Sequence, residues 1–248
     1  MVESVNFETS RREILQGGLL LGVAAILGGC EGGGPSADAP DLAWPDQARP
    51  RTANTTPAAT PTTTNVSGGM PRGVIPRSAW TNAQPNMRVA KPMNGVSRIT
   101  IHHDAMNSVG VTSESAAARR LAGIRADHTS RKDPSTGANW VDIGYHYIID
   151  PAGRVWQGRP VSIEGAHVAK TNDHNLGIMV MGNFDEQSVT REAMSTLSSF
   201  VAAQMRQYRV GVSRVYTHQE LKATACPGRN LQRLMQSLRS SSGPLARA

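Results

Sequence analysis

Residues 31–72 carry almost no large apolar side chains and are dominated by Gly, Pro, Ala, Thr and Asp. Such a segment cannot bury enough apolar surface to offset the entropy lost on ordering, so it contributes no core. It divides the chain into a short head, a disordered linker and about 170 residues after Gly73, enough for one compact domain. The domain is expected over 73–240, with 241–248 as a flexible tail. As a random coil the linker spans on the order of 35 Å, a useful reach for an enzyme tethered near a polymer.

The head reads as an address. Ser10-Arg11-Arg12-Glu13-Ile14-Leu15 precedes an apolar segment over 17–29. A charged region before a short apolar one is the pattern of an export signal. Thirteen residues span about 20 Å as a helix, too short for a permanent bilayer crossing. The paired arginines resemble a twin-arginine signal, although Gln16 stands where Lys is usual, and the Sec route is the alternative. Leu27-Gly28-Gly29-Cys30 resembles a lipobox, which implies cleavage and acylation at Cys30. The expectation is an exported protein, lipid-anchored in the cell envelope, and Glu31 leans towards the outer membrane.

Two cysteines in an exported chain invite a disulfide. An acylated Cys30 has no thiol to offer, which leaves Cys226 unpaired. The formal charge of +7 attracts polyanions in general. With only eleven Trp, Tyr and Phe, and no basic run interleaved with aromatics in the folded part, nucleic acid is not expected as the partner.

After residue 73 strand and helix patterns alternate. Ile99-Thr100-Ile101-His102 reads as a strand. Residues 113–128 form a helix with Ala117, Leu121, Ile124 and His128 on one face. Residues 143–149 read as a strand, 150–153 as a turn and 154–157 as a return strand. The apolar run 176–181 is a buried central strand. A helix over 191–207, capped by Thr190, presents Met194, Leu197, Phe200, Val201 and Met205 inward. A strand over 215–218 and an amphipathic helix over 230–238 close the domain. The fold class is α/β, a central mixed sheet flanked by helices.

His102 ends an early strand, and His218 and Cys226 lie eight residues apart near the end. Imidazole and thiolate suit Zn²⁺, and three protein ligands leave a fourth position for water. The spacing alone is weak, since neither a CxxC pair nor HExxH is present. The wider context is specific. Pro76-Arg77-Ser78-Ala79-Trp80, Ile101-His102-His103, Trp140-Val141-Asp142-Ile143-Gly144-Tyr145-His146-Tyr147, Gly165-Ala166-His167, Asn175-Leu176-Gly177-Ile178 and His218 with Ala225-Cys226-Pro227 occur in that order. Over residues 74–238 the chain resembles the zinc-dependent N-acetylmuramoyl-L-alanine amidases, the fold shared by a phage lysozyme and the peptidoglycan recognition proteins.

The resemblance implies zinc held by His102, His218 and Cys226, with Tyr145 catalytic beside it. Thr224 falls where family members carry Lys or Thr, and as Thr it offers the oxyanion a hydrogen bond rather than a charge. His167 resembles a substrate-cleft residue, with His128 and Asn175 as weaker cleft candidates. His103 and His146 follow their neighbours onto the opposite strand face, which suits packing. Arg77 and Trp80 look like fold-holding residues. The implied activity is hydrolysis of the amide between N-acetylmuramic acid and L-alanine, by a monomer acting on peptidoglycan or muropeptides. The alternative is a non-catalytic peptidoglycan-binding module, against which the retained Cys226 counts, since recognition-only members commonly lack it. A structural zinc would want a fourth ligand, and the folded part has no second cysteine.

Overall fold

The computed structural model describes residues 71–133 and 136–248. The expected export signal, Cys30 and nearly all of the linker lie outside them. Among the described residues no helix is long and apolar enough to cross a membrane.

Six strands form one mixed sheet: β1 (Val74–Ile75), β2 (Arg98–His103), β3 (Tyr147–Ile149), β4 (Val155–Gln157), β5 (Asn175–Val180) and β6 (Val215–Thr217), in the order β1-β4-β3-β5-β2-β6. All neighbours run parallel except the β3–β4 hairpin. The apolar run after residue 175 becomes β5, buried along its whole length between β3 and β2. Its register sets Ile101 beside Ile178 and His102 beside Met179.

Among the described residues four α-helices cover the sheet: α1 (Glu114–Ser130), α2 (Arg191–Tyr208), the short α3 (His218–Leu221) and α4 (Arg229–Arg239). Alternation along the strands sorts the core into two layers. Ile99, Ile101, Leu176, Ile178, Tyr147 and Ile149 pack with α2 and α4. Ile148, Met179 and Trp156 pack with α1, through Ala117, Leu121 and Ile124. Ile99, Ile101, Leu176 and Ile178 are wholly buried, each contributing roughly 1.5–3 kcal/mol over an exposed position. Ser113 caps α1 by accepting from Ala116 N, and Thr190 caps α2 by accepting from Ala193 N.

The structure departs from the sequence reading in four places. The strand expected from residue 143 begins only at Tyr147. Before it only His146 N reaches a strand, donating to Gly177 O of β5, while Gly144 N donates to His128 Nδ1 and Tyr145 O and His146 O accept from Arg159 N and Gly158 N. Leu197, Phe200, Val201 and Met205 face inward as expected, but Met194 is exposed, because the buried stripe of α2 opens at Ala193 instead. His218 does not end β6 but opens α3. The segment expected as a flexible tail turns through Pro244–Arg247 and places Leu245 in the core beside α2 and α4.

Candidate metal centre

The site gathers at the end of β2. His102 points to the α1 side of the sheet, whereas its neighbour His103 faces Phe184, with ring centroids 6.2 Å apart. Phe184 N donates to His103 Nδ1 at 3.4 Å. His218 arrives from the adjacent strand, because α3 begins where β6 stops. Glu220 fastens this junction: one carboxylate oxygen accepts from Thr217 N at 2.8 Å, and both accept from Arg239 on α4. Cys226 comes from the loop after α3. Cys226 O accepts from Gln219 N, Cys226 N donates to Thr224 Oγ1, and Cys226 Sγ accepts from His103 N at 3.4 Å. The loop closes at Gly228, whose φ of +85° and contact with the Phe184 backbone leave no room for a side chain.

These three elements bring one ligating atom each from His102, His218 and Cys226 within 4.8 Å of one another, all buried. Cys226 Sγ lies 3.6 Å from His102 Nδ1, and the His102 and His218 rings are 4.7 Å apart. Burial holds His102 well below the ordinary histidine range and His218 down to about 4, the latter helped by His103 and Lys222. Both imidazoles are therefore neutral, as metal ligands must be. Burial pushes the Cys226 thiol up to about 12, and a cation among the three groups is what turns such a thiol into a thiolate ligand. Two neutral imidazoles and a thiol, converging and buried, fit a divalent metal of borderline softness.

A cavity of about 720 Å³ opens beside the cluster and is lined by His128, Tyr145, Thr224 and Cys226 among others. Tyr145 stands 5.2 Å from His102, ring to ring. Burial, then the neighbouring Cys226, raises its hydroxyl further above the ordinary tyrosine range, so it stays a donor. Thr224 Oγ1 accepts from Cys226 N, which leaves its proton to donate towards the cavity. His128 reaches the cavity wall while its Nδ1 holds Gly144.

Two expected cleft residues turn inward. Asn175 is wholly buried, accepting from Thr100 Oγ1 at 2.8 Å and donating to Thr171 O at 2.7 Å, so its side chain holds the fold. His167 is buried with Nδ1 3.0 Å from His102 Nε2. Arg77 binds buried Asp142, together with Arg125, and Trp80 Nε1 donates to Gln157 O, as fold-holding residues do.

The sequence reading missed Asp104 and Arg120, which line the cavity as a paired fork at 2.7 Å. Asp104 also accepts from Gly182 N, so it ties the loop after β2 to the loop after β5. Its position directly behind His102-His103 was the available signal. Among the described residues no glutamate lines the cavity.

An α/β domain with a buried cluster of two histidines and a cysteine opening on a cleft is the class that this fold and site define. The chain belongs to the N-acetylmuramoyl-L-alanine amidase family, whose model matches residues 92–229. It is 35% identical over 161 residues to a peptidoglycan-recognition protein of Drosophila simulans, covering 64% of this chain and 82% of that protein. Among solved structures it resembles Drosophila peptidoglycan recognition protein SD, at 27% identity and a TM-score of 0.57 over 66% of this chain and 92% of that one. Peptidoglycan recognition protein-LE, solved in complex with tracheal cytotoxin, a monomeric diaminopimelic acid-type peptidoglycan, gives 26% and 0.57 over the same shares. The N-acetylmuramoyl-L-alanine amidase LysC of Clostridium intestinale shares the fold, at 24% identity and a TM-score of 0.53 over 68% of this chain and 98% of that one.

Proposed function

We propose that this protein is a zinc-dependent amidase that hydrolyses the bond between N-acetylmuramic acid and the L-alanine of the peptidoglycan stem peptide. The observation that carries the reading is the convergence of His102, His218 and Cys226, the last of which lines a cleft together with Tyr145 and Thr224. Zinc bound by the three residues supplies Lewis-acid polarisation of the amide carbonyl and activation of water. The chain's own groups do the rest. Tyr145, kept protonated by burial, donates to the oxygen on which charge develops, and the Thr224 hydroxyl gives a second, weaker donor. Water adds to the carbonyl carbon and the C–N bond breaks, leaving a carboxylate on the muramic acid and a free amine on L-alanine. A muropeptide as ligand is supported by the relative solved with a monomeric peptidoglycan.

The second reading is peptidoglycan binding without catalysis, favoured by the names of the curated relatives, which are recognition proteins. Purified protein loaded with zinc and incubated with muropeptides separates the two, with products identified by mass. The amidase releases free stem peptide, and a chelator or Cys226→Ser abolishes the release. Tyr145→Phe lowers kcat about a hundredfold. Muropeptides that bind and stay intact would establish the recognition reading instead.

Export through residues 1–30, acylation at Cys30, tethering by 31–72 and an envelope location belong to the same proposal and rest on sequence alone. Labelled fatty acid fed to expressing cells is incorporated by the full chain and not by Cys30→Ser. Equal labelling of both would remove the anchor.

A further inference from the structure

We propose that His167 is a positioning residue for His102, fixing the tautomer that turns the His102 Nδ1 lone pair towards the metal. The proposal rests on the metal reading above and deepens it.

The proton assignments follow from one fixed end. His167 Nε2 lies 3.1 Å from Asn175 O. A carbonyl oxygen only accepts, so His167 Nε2 carries hydrogen. His167 Nδ1 faces His102 Nε2 at 3.0 Å. A second proton on His167 would make a buried imidazolium, with the His102 and His146 rings against it and, among the described residues, no carboxylate in contact. His167 Nδ1 is therefore bare and accepts, and His102 Nε2 is the donor. That places the remaining His102 lone pair on Nδ1, the nitrogen that faces Cys226 Sγ at 3.6 Å. Metal-bound histidines keep their geometry by donating the far N–H to a fixed acceptor, usually a carboxylate or carbonyl. Here a second imidazole fills that role and passes the constraint on to a main-chain carbonyl.

Everything around His167 serves to hold the ring still. Asn172 Oδ1 accepts from both His167 N and Val168 N at 2.9 Å. A β-carbon on Gly165 or on Gly177 would overlap the His167 ring, so both backbones close directly upon it. The His146 ring packs edge-on at 5.8 Å and is itself pinned, accepting from Gly177 N at 2.9 Å and bonding Ile163 O at 3.1 Å. Asn175, whose carbonyl ends the chain of bonds, is anchored by Thr100 and Thr171.

Nitrogen-15 spectra of the zinc-loaded wild-type protein test this directly through the two- and three-bond ring couplings. The expected pattern is His102 metal-bound through Nδ1 with Nε2 protonated, and His167 protonated at Nε2 alone. Zinc bound through His102 Nε2, or a protonated His167 Nδ1, would overturn the inference and leave the metal reading intact. Failure of the wild-type protein to bind zinc would overturn both. Zinc affinity by chelator competition adds a second readout. His167→Phe fills the space without an acceptor and is expected to weaken zinc binding about 10- to 100-fold. His167→Asn can return an acceptor oxygen near the Nδ1 position and should recover part of that loss. Equal zinc affinity for folded wild-type and Phe variants would overturn the inference. A Phe variant that does not fold leaves the decision to the wild-type spectra.

Discussion

Six of the seven histidines are buried, and two of them, His128 and His146, hold a backbone N–H through a ring nitrogen. Burial pushes His146 down to about 3 and His128 down to about 4, while the His146 ring accepts from Gly177 N on β5 and the His128 ring from Gly144 N. Unfolded, both titrate near 6.5, so below that pH the unfolded chain binds protons that the folded one refuses. Stability is therefore full above about 6.5 and falls as pH drops towards 4 and then 3, by up to about 1.4 kcal/mol per pH unit for each group. Urea unfolding of the metal-free protein between pH 7 and 4 should show this decline, and His146→Gln should make it shallower, the other buried histidines such as His102 and His218 carrying the rest. A level profile would mean these rings are not held neutral. Which residues gather at the cluster and the cavity was legible in the sequence, because His102, Tyr145, His218, Cys226 and Thr224 sit in motifs with fixed neighbours. The inward turns of His167 and Asn175 were not legible. Motif position tells which residues gather, whereas the direction of a side chain depends on partners such as Thr100 and Thr171 that come from other elements.

At the scale of elements, four-residue α3 has too few internal bonds to be stable alone, and its support comes from Glu220. That carboxylate ties the start of α3 to Arg239 of α4, 19 residues on, and to Gln232. Glu220→Gln should reduce stability by about 1 kcal/mol, since the pair is partly exposed. It should also weaken metal binding by loosening His218. Unchanged zinc affinity in a variant of measurably lower stability would show that α3 keeps its place without the bridge. Long periodic elements were read correctly from sequence: α1 has the predicted inner face, and the run after residue 175 is the central strand. The misread stretch before Tyr147 has strand composition but spends its hydrogen bonds on a histidine ring and on Gly158 and Arg159. No local pattern records such distant partners.

For the whole molecule, the last residues are structural, because Leu245 closes the layer beneath α2 and α4. Leu245→Ala should cost about 2–4 kcal/mol, and removing residues 241–248 at least as much. Thermal unfolding checks both, and an unchanged Tm after truncation would make this segment dispensable. The opposite end of the domain behaves differently under load. β1 sits at the sheet edge and pairs with β4 through only Val74 and Ile75. A pull on the chain before Gly73 would load those two residues before the rest of the sheet. The next resistance is the Arg77–Asp142 latch, while β4, β3 and β5 separate β1 from β2 in the sheet. Because those strands stand between β1 and β2, loss of the β1–β4 pairing would leave the strands on either side of His102 in place.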